Sequence, residues 1–99
     1  MEIKQIKNGT EYTVCPVGRL ETVTAPELQA VLDENISGVT ELIFDLKELV
    51  YLSSAGLRVL MSAQKIMNKQ GEMKLRNVNE DIMDILDMTG LTDVFDIEE

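Results

Sequence analysis

The residues best placed to do chemistry in this sequence are two adjacent serines. They lie in Tyr51-Leu52-Ser53-Ser54-Ala55-Gly56-Leu57, where an apolar segment gives way to a helical pattern. The first N–H groups of a helix have no intrahelical partners and carry partial positive charge. Such a position suits a hydroxyl cap or a covalently attached anion. It does not suit a nucleophile here. The chain has no histidine and one cysteine, so neither a Ser-His-Asp nor a Cys-His grouping can form. Zinc sites built on imidazole or paired thiolates are excluded as well, leaving carboxylates for hard cations. No Gly-x-x-x-x-Gly-Lys pattern is present to cradle a nucleotide. The chain is therefore expected not to be an enzyme and to need no cofactor. Ser53 and Ser54 read as helix caps or as a modification site.

Periodicity supplies the elements around this junction. Ile3 to Ile6 and Tyr12 to Val17 are β-rich runs flanking Asn8-Gly9, a hairpin signal. Pro16 cannot donate to a ladder and belongs at an edge or bulge, while Cys15 reads as a small buried hydrophobe. Thr24-Ala25-Pro26-Glu27 opens a helix, with the Thr24 hydroxyl expected to cap the first turn and Glu27 to reach back. Leu28, Val31 and Leu32 form its apolar stripe, and Ser37-Gly38 ends it. Glu41 to Leu46 is almost continuously apolar, as in a central strand with covered faces. Lys47 to Ser53 reads as a linker.

A long helix is expected from Ser54 to Lys69, with Leu57, Leu60, Ala63 and Met67 inward. Arg58, Ser62, Lys65 and Lys69 step along its opposite face, and Gln70-Gly71 stops it. Glu72 to Arg76 alternates like a strand. Asn79 caps a third helix, whose Glu80 and Asp81 suit the positive first turn. Ile82, Met83, Ile85 and Leu86 face inward there, Gly90 is the stop, and Asp93 to Ile97 closes with a strand. Met61, Met67, Met83 and Met88 all fall in helices and read as core fillers. The order predicts one two-layer α/β domain over residues 1–99. Its mixed, mostly parallel sheet of four to five strands would follow an N-terminal hairpin and carry three main helices.

Size and charge bound the partners. The chain has 99 residues and a formal charge of −9, which disfavours nucleic acid. Residues 1–70 hold nine acidic and seven basic side chains, whereas residues 71–99 hold nine and two. The acidic C-terminal part reads as a solvated surface, or as a surface for something basic. No run approaches the roughly 18 apolar residues of a membrane helix, and the first residues lack the apolar core of a signal peptide. A single cysteine cannot form an internal disulfide. A cytoplasmic protein without membrane insertion is expected, and a monomer is favoured.

Three motifs stand in register on these elements: Gly18-Arg19-Leu20-Glu21 leading into Thr24-Ala25-Pro26-Glu27-Leu28; Asp45-Leu46 followed after six residues by Ser53-Ser54-Ala55-Gly56-Leu57; and Leu86-Asp87-Met88-Thr89-Gly90-Leu91 before Phe95 and Ile97. Together they resemble the sulfate transporter and anti-sigma factor antagonist (STAS) domain across the whole chain. The resemblance implies a stand-alone bacterial anti-sigma factor antagonist. Such a protein binds an anti-sigma factor, usually a serine kinase, and frees the sigma factor for transcription; phosphorylation of a serine at this helix start switches it off. Matching Gly56-Leu57 to the family's Gly-Leu puts that serine at Ser54. Ser53 replaces the family's frequent Asp and becomes a competing acceptor, Ala55 replaces a second Ser, and Glu21 replaces an Asp. The resemblance further implies that Glu21, Thr22, Ser53, Ser54, Ala55, Gly56 and Arg58 face the partner. The alternative keeps the fold as a constitutive scaffold or small-ligand module of a transporter or signalling complex, with Ser54 only a cap.

Overall fold

The computed structural model describes residues 1–98. Strand β1 (Glu2–Asn8) turns into β2 (Glu11–Leu20), and then follow α1 (Ala25–Asn35), β3 (Glu41–Asp45), β4 (Leu49–Leu52), α2 (Ser54–Gln70), β5 (Glu72–Arg76), α3 (Glu80–Met88) and β6 (Asp96–Ile97). The main sheet order is β1-β2-β3-β5-β6, with β4 paired to β2 beside this path. Only β1 runs antiparallel to its neighbour; β2 with β3, β3 with β5 and β5 with β6 are parallel pairs joined through helices. The single α/β domain with three helices and a mixed sheet agrees with the sequence reading, but the sheet of the described residues has six strands, not four or five.

The additional strand is β4, which falls in the segment read as a linker. Leu49-Val50-Tyr51-Leu52 buries only its two leucines, so it lacks clear period-two alternation. Its pairing makes it a strand. The first half of β2 registers with β3 from Glu11↔Glu41 to Val14↔Phe44, and its last three residues register with β4, ending at Leu20↔Leu52. Pro16, which has no N–H, falls between these two ladders, and the register shifts at Gly18/Arg19. Thus the proline sits in the gap between partners, next to a bulge.

Alternation on the strands separates a core face from an open face. Tyr12, Val14, Leu42, Phe44, Met73 and Leu75 join Leu28, Leu32, Leu60, Met67, Ile82 and Leu86 of the helices in one buried cluster. Among the described residues the other face carries no helix layer, because the three crossovers all advance the same way along β2-β3-β5-β6, contrary to the two covered faces expected for Glu41 to Leu46. Ile43 is nonetheless buried on that open face, flanked across the sheet by Thr13 and Lys74. Cys15 is buried there as expected, its thiol facing Glu48 Oε2 at 3.6 Å.

Three local expectations change. The hairpin loop is Gly9-Thr10, one residue later than Asn8-Gly9, because Asn8 pairs with Glu11 and Gly9 takes the positive φ of 64°. Thr24 makes no side-chain cap on α1. Its hydroxyl donates to the Arg19 carbonyl at 2.7 Å and accepts from Glu21 N–H at 2.9 Å, while Glu27 pairs with the N-terminal ammonium. Met61 and Met88 are exposed, Met88 at 85%; of the four helical methionines only Met67 is fully buried. The Asn79 cap is formed, accepting from Ile82 N–H at 2.9 Å.

Gly71, at the α2–β5 junction, has extended backbone, and any side chain there would run into the Thr40 backbone carbonyl. That carbonyl already accepts from Glu72 N–H at 2.9 Å, so it cannot move freely. Gly71→Ala is expected to lower stability by about 2–3 kcal/mol, read from the urea unfolding midpoint. Burial pushes up the pKa of both the Cys15 thiol, with the Asp45 and Glu48 charges adding to it, and the Tyr12 phenol. A folded pKa above the unfolded one stabilises the protein below the unfolded value and loses that stability as pH rises through the folded value. The midpoint should therefore hold steady to about pH 8 and fall above the ordinary thiol range; Cys15→Ala should remove the first part of that fall.

Candidate functional site

The two halves of the site meet because β2 and β4 are parallel and end together. Leu20 and Leu52 are paired, and Ser53 N–H donates to the Leu20 carbonyl at 2.9 Å. The loop after β2 and the start of α2 thus leave the sheet side by side. Gly56 makes the approach possible. A Cβ at that position would lie 2.8 Å from side-chain carbons of both Leu20 and Leu52, so only glycine lets the first turn of α2 rest on the strand ends.

The neighbouring loop is equally fixed. Besides the two Thr24 hydroxyl bonds, Thr24 and Ala25 N–H both donate to the Glu21 carbonyl, at 3.0 and 2.7 Å. Glu21 accepts from Arg19 Nε at 2.6 Å, and the Arg19 guanidinium stacks 4.3 Å from the centre of the Tyr51 ring. Thr22 and Val23 project from the tip, Val23 being 80% exposed. Between the two helix starts lies a shallow depression of about 320 Å³ lined by Thr22, Ala25, Pro26, Gln29, Ala55 and Val59.

The two serines are not equivalent. Ser53 is the N-cap, in extended conformation, and its Oγ accepts from Gly56 N–H at 3.3 Å. Ser54 is the first helical residue and exposed, and no hydrogen bond engages its hydroxyl among the described residues. The first turn of α2 holds no acidic side chain to satisfy its positive end.

Glu21, Thr22, Ser53, Ser54 and Ala55 are brought to one end of the sheet. Gly56 lies beneath them, buried, and Arg58 stands exposed one turn further along α2. Sequence reasoning missed Arg19, Tyr51, Val23 and Pro26 as members of this surface. The Arg19–Tyr51 pair follows from the β2–β4 register, which the non-alternating Leu49–Leu52 segment does not announce.

A family model described as the STAS domain matches residues 2–99. The chain belongs to the STAS domain family. An anti-sigma-B factor antagonist of Bacillus subtilis (strain 168) is 32% identical over 98 residues, spanning 98% of this chain and 88% of that protein. Among solved structures, an anti-sigma factor antagonist from Mycobacterium paratuberculosis superposes with a TM-score of 0.87 at 21% identity, covering 97% of this chain and 83% of that one. The Bacillus cell fate determinant SpoIIAA in its phosphorylated form superposes with a TM-score of 0.76 at 15% identity, covering 99% and 92%. These likenesses establish that the STAS domain chain shares the fold of both structures.

The distinct roles of the serines have a direct consequence for stability. Ser53→Ala should cost about 1 kcal/mol through loss of the cap, whereas Ser54→Ala should stay within about 0.5 kcal/mol. Gly56→Ala should cost about 1–3 kcal/mol because the two leucines must move. Urea unfolding of the three variants beside wild type checks the order.

Proposed function

We propose that this protein is an anti-sigma factor antagonist: a regulatory binding protein of the bacterial cytoplasm, not an enzyme. It binds an anti-sigma factor that is also a serine kinase, releases the sigma factor held by it, and is switched off by phosphorylation of Ser54. The relative from Bacillus subtilis, named an anti-sigma-B factor antagonist, supports the first part. One observation carries the second. The Ser54 hydroxyl is exposed and unengaged at the head of α2, beside the Glu21 loop, whereas the Ser53 hydroxyl is used in the cap.

Phosphate adds about −1.5 to −2 charge and three acceptor oxygens. At a helix N-terminus that charge is tolerated and even favoured by some 0.3–1 kcal/mol, so the domain stays folded. The match of the phosphorylated SpoIIAA fold to this chain is in keeping with that. The effect falls on the docking surface. A phosphoryl group on Ser54 adds bulk and charge at the exposed head of α2, and a poorly paired charge in a desolvated contact costs several kcal/mol, enough to shift affinity by orders of magnitude. Glu21, Thr22, Ser53, Ala55 and Arg58 surround the acceptor on this reading, and Gly56 sets its height above the sheet.

Incubation with ATP and the cognate anti-sigma kinase should add one phosphoryl group, mapped to Ser54 by fragment masses. Ser54→Ala should abolish the addition and retain binding, and Ser54→Asp should weaken binding at least about ten-fold. A group mapped to Ser53, or no mass gain, refutes the switch. Unchanged binding by Ser54→Asp would make the protein a constitutive scaffold instead.

A further inference from the structure

Helix α2 carries three basic residues, Arg58, Lys65 and Lys69, and no acidic one, in a chain of net charge −9. All three are exposed, and none forms an ion pair among the described residues, whereas Lys4, Arg19, Lys47 and Arg76 each do. Steps of seven and four residues put them on one helix face, about 16 Å from end to end. Apolar side chains lie along this stripe: Met61 is 41% exposed, Ile66 36% and, from the segment after α3, Val94 45%. Arg58, Met61, Ser62, Lys65 and Val94 line a groove of about 390 Å³. Exposed cations with open apolar surface between them, on a molecule otherwise dominated by carboxylates, are arranged for an acidic occupant. A second copy of this chain, at −9, would be repelled as a whole.

We infer that the solvent face of α2, from Arg58 to Lys69, is a docking surface for an acidic, apolar-tipped segment of the anti-sigma factor. This inference rests on the proposed function and extends it. The apolar tip fills the groove between Met61 and Val94, and carboxylates on either side meet Arg58 and Lys65. Arg58 lies four residues after Ser54, one helical turn away, so a phosphate on Ser54 faces the first cation of the stripe. Phosphorylation then acts twice: it obstructs the contact at the helix head and neutralises the stripe where the acidic segment enters.

The test uses full-length protein and the purified cognate anti-sigma factor, with affinity and association rate measured at about 50 and 500 mM salt. Wild type should bind faster and more tightly at low salt. Lys65→Glu/Lys69→Glu, two exposed positions outside the Ser54 loop, should lose about ten-fold in affinity at low salt, mostly in association rate, and much of the difference should vanish at high salt. A urea midpoint equal to wild type confirms that the variant is folded, and Lys65→Gln/Lys69→Gln should fall between the two. A loss below about three-fold, or one that persists undiminished at high salt, overturns the inference while leaving the proposed function standing. Absence of wild-type binding sinks the proposed function itself. Sedimentation of wild type alone showing self-association that the double variant abolishes would assign the face to a second copy and overturn the acidic-partner assignment.

Discussion

The ten-residue strand β2 is shared by three partners, and the rest of the molecule is arranged around that sharing. Its backbone pairs with β1 along one side and with β3 and then β4 along the other. Continued straight on from Phe44↔Val14, β3 would bring Val50 level with Leu20, two residues early. The break after Asp45 and the resumption at Leu49 carry the chain to the far end of β2, so that Leu52 stops level with Leu20. Only then can one backbone bond, Ser53 N–H to the Leu20 carbonyl, join the two loops. Pro16 and the bulge at Gly18 are the local cost of serving two ladders on the same side.

A second constraint acts on the helix faces. Glycine is needed at Gly56 because the strand ends occupy the space of a Cβ, and at Gly71 because the Thr40 backbone does. The two glycines fix both ends of α2, and with them the rotation of the helix about its own axis. That rotation points Leu57, Leu60, Ala63 and Met67 at the sheet and leaves Arg58, Lys65 and Lys69 facing water.

Local signals in the sequence were sufficient where they acted alone. The bounds of β5, the start of α2 and the Asn79 cap are set by alternation, by apolar spacing and by a single amide side chain, and each stands where those signals place it. Signals failed where a tertiary partner outbid the local one. Thr24 has the right type and position for a cap, yet its hydroxyl is taken by the Arg19 carbonyl and Glu21 N–H, partners visible only once the loop is folded. β4 is a strand because β2 offers it a ladder, and four residues with two buried leucines cannot announce that. The Ser53–Ser54 junction was legible as a helix start, and the motifs around it pointed to the family. Which hydroxyl was engaged in the cap required the backbone geometry.

The paired loops at the ends of β2 and β4 also bear on how quickly a partner can be held or let go. Thr24 ties its loop at both ends, Arg19 is clamped between Glu21 and Tyr51, and Gly56 seats the helix on two leucines. Little of this surface has backbone freedom left to lose. Association therefore spends its free energy on desolvation and on a few side chains such as Val23 and Ser54, not on ordering a segment. A preorganised face of this kind binds without waiting for a folding step, and lifetime then becomes the quantity through which a small covalent change controls the complex.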